Sequence, residues 1–193
     1  MEEKERTTLT QNKIIQKKKY RAILDLIAHI ENDKRHIRFI HLRYALVKNH
    51  GIDSEYEKNR FEKFFVTKAE LKTIERVKKS YEEKRISYNS YVKETKHMKQ
   101  GVLKRLESRG LNLEEIKFDS VYGLRKALKT LKDFDIIKSV KPKKGYSYYE
   151  FTDIGLALYT KMMIHYTIDT FVPNNYNYLV AIQQYIMEYS LLW

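Results

Sequence analysis

The sequence contains no cysteine, two prolines, six glycines and a single tryptophan among 193 residues. Without cysteine there is no disulfide scaffold, no zinc–thiolate centre and no thiol nucleophile, and a reducing interior is expected. Proline and glycine together reach about a third of ordinary usage, which disfavours collagen-like, linker-rich and turn-dense all-β chains and points to long helices. Long apolar runs are also missing. The longest uncharged stretch, residues 170–187, holds Pro173, three Asn and two Gln, a composition unsuited to a bilayer-spanning helix, so no membrane partner is expected. Residues 1–13 carry acids and no apolar core, so no signal peptide is expected, and cytoplasmic, nucleoid-associated residence is the resulting expectation.

What is present is charge and aromatic surface. Charged residues make up 33% of the chain and hydrophobic ones 42%, with sixteen Tyr and eight Phe, too apolar a mixture for full disorder. The length allows one domain or two small ones. The net charge of +13 is unevenly placed: residues 1–150 carry +15, whereas residues 151–193 carry −2. A strongly basic body attracts a polyanion through counterion release, and a near-neutral, Tyr-rich tail suits burial against protein. The competing explanation is lysine enrichment suited to a hot habitat.

Apolar spacing predicts a helix over 13–31 through Ile15, Ala22, Ile23, Leu26, Ile27 and Ile30, and another over 36–49. Phe61, Phe64 and Phe65 mark a short helix at 57–65, and Thr67 with Glu70 forms a capping box that opens a long, thinly apolar helix. In that helix Lys78 and Arg85 stand where a coiled-coil seam would need apolar residues, so it reads as a solvated connector. A helix over 93–109 ends at Gly110 in the usual cap position.

From Gly110 the pattern tightens into a short helix, a turn, and a helix from 121 to about 134. Val121, Leu124, Leu128 and Leu131 form its apolar stripe, while Tyr122, Arg125, Lys126 and Lys129 fall at i, i+3, i+4 and i+7 on the opposite face. Asp119 or Ser120 supplies the N-cap. Such an outward basic helix suits a major groove, with Arg125 favoured for gripping guanine. Gly123, inside it, costs roughly 1 kcal/mol of helix propensity, and one reading of it is close approach to DNA. Residues 136–141 and 146–152 then read as a β-hairpin whose turn carries Lys141, Lys143 and Lys144 toward phosphates, with Thr152 or Asp153 capping the next helix. Lys17, Lys18 and Lys19 are a second candidate phosphate contact. Tyr146, Tyr148 and Tyr149 are read as sheet packing rather than base stacking.

Leu124, Leu128 and Leu131 before Phe134-Asp-Ile-Ile137, together with Tyr149-Glu-Phe-Thr-Asp-Ile-Gly155, follow a strand-to-helix pattern Y-x-x-T-x-x-G. On these residues the stretch 93–170 resembles the winged helix-turn-helix DNA-binding family, and more loosely its archaeal and bacterial PadR-like and MarR-like regulators. The resemblance implies a recognition helix at 120–134, a wing tip at 141–145 and a following helix that dimerises. The expected fold is mostly α with one small β-hairpin, a winged helix-turn-helix with an added N-terminal helical region and C-terminal helices. The expected divisions are 1–92 (with a second, degenerate helix-turn-helix around 36–63 as one reading), 93–160 as the winged-helix domain, and 161–193 as a dimerisation region.

Dimerisation is assigned to Met162, Met163, Tyr166, Leu179, Ile182 and Ile186, which lie at helical spacing on either side of a turn at 173–175. His36 and His41 are not spaced as a helical zinc pair, and there is no phosphate loop, nucleophile elbow or isolated carboxylate pair. Neither catalysis, a metal nor a cofactor is expected. The expected function is sequence-specific binding of double-stranded DNA by a dimeric transcriptional regulator. The rivals are a plasmid or viral replication, segregation or packing factor on the same fold, and a protein-interaction adaptor. Any small-molecule effector is left open.

Overall fold

A computed structural model describes residues 2–99, 101, 106 and 110–171. Its elements are α1 (Glu2–Ile15), α2 (Lys18–Asn32), α3 (Phe39–Leu46), α4 (Glu55–Phe64), α5 (Lys68–Glu82), α6 (Tyr88–Lys99), α7 (Leu113–Ile116), α8 (Val121–Asp133), β1 (Ile137–Val140), β2 (Tyr148–Phe151) and α9 (Asp153–Phe171). The protein is thus mostly helical with one two-stranded antiparallel hairpin. No helix among the described residues is long and apolar enough to cross a membrane.

The helix expected over 13–31 is two helices. The chain breaks at Lys17, which takes extended backbone before α2, and the break lets Ile14 and Ile15 enter the same core as the buried face of α2. The long helix expected from residue 67 is likewise interrupted. Its start is as read, with Thr67 Oγ1 accepting the Glu70 N–H at 3.2 Å and Glu70 Oε2 accepting the Thr67 N–H at 2.8 Å. Lys84, at φ 58°, then turns the chain, and α6 folds back on α5. Their thin apolar stripe is completed by tyrosines at the turn, where Tyr81 stacks on Tyr91 at 5.3 Å.

One apolar cluster joins α1, α2 and α3 to α8, the hairpin and α9, through Ile15, Ile23, Leu26, Ile30, Leu42, Leu46, Leu124, Leu131, Ile137, Phe151 and Tyr159. Each such side chain contributes about 1.5–3 kcal/mol when withdrawn from water. The core therefore does not divide at the expected boundary between 92 and 93. The stretch 93–160 alone would lack the wall that α2 provides. The helices read as a degenerate second motif around 36–63 form as α3 and α4, but α3 buries Leu42, Ala45 and Leu46 in this shared core.

Polar groups join distant elements inside it. Tyr159 on α9 donates to Asp25 Oδ1 on α2 at 2.6 Å, both buried. Gln11 donates to the Phe134 carbonyl at 2.8 Å, satisfying one acceptor at the end of α8.

The hairpin pairs Ile137 with Phe151 and Val140 with Tyr148. Ile37 adds a single antiparallel bridge to its second strand, accepting the Tyr149 N–H at 2.9 Å. Thr152 caps α9 by accepting the Gly155 N–H at 3.0 Å. A β-carbon on Gly155 would stand 1.8 Å from the Ile136 carbonyl oxygen. The Tyr149, Thr152 and Gly155 positions thus each have a mechanical role: strand bridge, cap and close helix–strand contact.

A second backbone bridge sets the geometry of α3 and α8. Val47 and Phe118 pair in parallel: the Lys48 N–H donates to the Phe118 carbonyl at 3.0 Å and the Phe118 N–H to the Leu46 carbonyl at 2.6 Å. The end of α3 is therefore held beside the approach to α8, and residues 48–117 leave and return at one point.

Candidate nucleic-acid interface

α8 divides into the two faces its spacing predicts. Leu124, Ala127, Leu128 and Leu131 are buried, while Tyr122, Arg125, Lys126 and Lys129 are exposed, Tyr122 at 75%. Ser120 is the N-cap, its Oγ accepting the Gly123 N–H at 3.2 Å. Asp119 instead forms an exposed ion pair with Lys48 at 2.7 Å, and that lysine holds its carboxyl below the ordinary range. Gly123 packs beside the turn before the helix. An added β-carbon would meet the Phe118 ring at 3.3 Å, so the glycine accommodates an internal contact.

Arg125 lies with its guanidinium carbon 5.2 Å from the Phe39 ring centre, a contact that orients the fork while leaving it exposed. Phe39 begins α3, and its neighbour Arg38 sits 5.2 Å over the ring of Tyr146 on the second arm of the hairpin. Burial raises the Tyr149 phenol above its ordinary range, with Arg125 acting in the opposite sense. Arg125, Lys132, Phe39, Leu128 and Tyr149 enclose a shallow recess of about 260 Å³. The basic face of α8, the first turn of α3 and the root of the hairpin are thereby brought together.

The hairpin carries Lys141, Lys143 and Lys144 as exposed side chains around its turn, with Gly145 at φ 111° completing the reversal. Among the described residues no carboxylate pairs with these three or with Arg125, Lys126 or Lys129. Lys138, by contrast, meets Glu150 across the strands at 3.1 Å.

Lys17, Lys18 and Lys19 are engaged within the fold. Lys18 pairs with Glu115 at 2.8 Å, Lys19 lies 5.2 Å over Phe118 and Lys17 lies 6.0 Å from the Tyr20 ring centre. They flank the turn before α8 rather than the hairpin tip. Met162 and Met163 pack against the protein's own core. The Tyr166 side chain and Leu179, Ile182 and Ile186 lie outside the described residues.

Two cations escaped the sequence reading. Lys132 stands i+7 from Arg125 and i+3 from Lys129, so the same spacing rule reaches it. Arg38 has no local signal, because long-range contacts, the Ile37–Tyr149 bridge and the His36–Tyr148 stack, carry it to the hairpin. No group of three potential metal ligands is gathered among the described residues. The sequence matches no protein-family model, and neither the curated proteins nor the solved structures offer a match.

Proposed function

We propose that the protein binds double-stranded DNA sequence-specifically through a winged helix-turn-helix. In this reading α2, the Ile37 bridge, α3, α8 and the hairpin are the module, α8 enters the major groove and the Lys141–Lys144 turn is the wing. The helix preceding recognition is then α3 rather than the four-residue α7, and residues 48–117 occupy the place of the connecting turn. The observation that carries the proposal is the unpaired cationic face of α8 standing beside a lysine-tipped hairpin, a pairing suited to base edges and flanking phosphates together.

A dimeric transcriptional regulator is the form we favour. Ile154 and Leu156 on α9 remain about half exposed, apolar surface suited to a second copy, and a two-fold dimer would match a palindromic site. The test is affinity for a 30-base-pair duplex against salt, repeated with single-stranded DNA and double-stranded RNA. A steep negative salt slope with duplex DNA preferred is expected. Weak binding to all three would discard the reading.

A further inference from the structure

A cleft lies between the first turn of α3, the last turns of α4 and the root of the hairpin, sharing Phe39 with the recess beside Arg125 on α8. Its volume is about 860 Å³, within the size range of small-molecule sites. Three cations, Arg38, Arg60 and Lys63, line it, and no acidic residue does. Among the described residues no carboxylate forms an ion pair with any of the three. Three rings, Phe61, Phe64 and Tyr146, stand in the rest of the wall beside Phe39, Ile40 and two histidines.

Two of those rings have stacking partners. Phe64 stacks on His41 at 3.5 Å, and Phe61 stacks on Tyr44 at 5.1 Å. Arg35 lies 5.1 Å over Phe64 and donates to the Phe64 and Val66 carbonyls at 2.7 and 3.1 Å, while pairing with Asp33 at 2.6 Å. Arg35 is thus committed to the fold; Arg38 meets His41 Nε2 at 3.4 Å and the Tyr146 ring at 5.2 Å, whereas Arg60 and Lys63 are exposed at the rim. Burial, then Arg38, hold His41 down at about 3, so that imidazole adds no charge to the cleft near neutrality. The cleft also lies against the first turn of α3, the end at which a helix is positive.

We propose that this cleft binds a small planar aromatic anion, a ring bearing a phosphate, sulfonate or carboxylate, with the ring between Phe61, Phe64 and Tyr146 and the anion on Arg60, Lys63 and Arg38. Flat rings and fixed cations in one recess favour such a ligand over either half alone, since stacking and charge-assisted hydrogen bonds are made together. The site goes beyond DNA binding and does not depend on it.

Calorimetric titration of the full chain with adenosine 5′-monophosphate and with naphthalene-1-sulfonate tests this, with adenosine and inorganic phosphate as the separated halves. Saturable one-to-one binding of at least one aromatic anion is expected, with each half at least about tenfold weaker. Arg60→Glu with Lys63→Glu should weaken it about tenfold or more without moving the thermal midpoint, both side chains being exposed. If that pair lowers the midpoint, Arg60→Gln with Lys63→Gln replaces it. Tyr146→Ala should weaken the aromatic anion and leave phosphate unchanged. No binding of either aromatic anion at about 10 mM, phosphate binding as well as the aromatic anion, or charge variants that bind like the parent would each overturn the assignment.

Discussion

Tyr159 on α9 and Asp25 on α2, separated by 134 residues, share a hydrogen bond of 2.6 Å inside the core. Arg21 Nε stands 4.0 Å from the other carboxylate oxygen. A buried carboxylate deprived of a donor keeps its desolvation penalty, so Tyr159→Phe should lower stability by about 1.5–3 kcal/mol. Urea unfolding with an unchanged slope checks it. A variant as stable as the parent would mean that Asp25 is satisfied without Tyr159.

Two glycines give opposite expectations for the same substitution. Gly155→Ala places a β-carbon 1.8 Å from a backbone carbonyl oxygen, and neither helix nor strand can yield without losing the cap at Thr152. A loss above about 4 kcal/mol, or failure to fold, is expected. Gly123→Ala meets only a ring edge at 3.3 Å and gains roughly 1 kcal/mol of helix propensity. Its stability should stay within about 1 kcal/mol of the parent, as thermal melting would show.

His41 makes stability depend on pH in a defined direction. The folded imidazole titrates at about 3 because burial, and then Arg38, Arg35 and Arg60, disfavour its cation. The unfolded chain takes up that proton near pH 6.5. Between those values the unfolded state binds more protons, so this group's contribution is fully present above pH 6.5 and is lost as pH falls toward 3. The limiting slope is about 1.4 kcal/mol per pH unit. His41→Gln keeps an acceptor for the Arg38 N–H, which the Nδ1 atom now receives at 3.2 Å. Subtracting the variant's stability profile from the parent's should isolate that slope, and parallel profiles would contradict it.

Under the DNA-binding proposal, Arg125 and Lys143 should fail differently when removed. Arg125→Ala should relax preference at one base pair, about 1–3 kcal/mol. Lys143→Ala should weaken all sequences alike and reduce the salt slope by about one. Binding-site selection followed by salt titration separates the two. If neither variant differs from the parent, the exposed face of α8 is not the contact.

Much of this architecture is written in short-range pattern. The stripe through Leu124, Leu128 and Leu131, the Thr67–Glu70 box and the Thr152 cap are each set within a few residues, so spacing and residue type reveal them. The hairpin shows itself in its β-branched and aromatic arms. The membership of α2 and α3 in the same core is different. It depends on two isolated bridges, Ile37 with Tyr149 and Val47 with Phe118, and a single backbone pair leaves no periodic trace. Asp25 was hidden for a related reason: it interrupts an apolar run, and its phenolic partner lies on the far side of the chain. The cleft between α3 and α4 was equally silent, because Phe61 and Phe64 read simply as markers of a short helix.

The return of the chain at Val47 and Phe118 separates the position of α8 from the length of what precedes it. Between those two points Phe65, Leu106, Leu111 and Ile116 still join the common core, whereas α5 and α6 pack chiefly on each other, with Val77 the buried residue of α5. Such a pair has the makings of an independent opening unit. Its amides should exchange with solvent well before those of α2 or α8, and shortening it at the 83–87 turn should leave the spacing between α3 and α8 unchanged. The module can therefore tolerate a loop of variable reach while its basic helix stays in place.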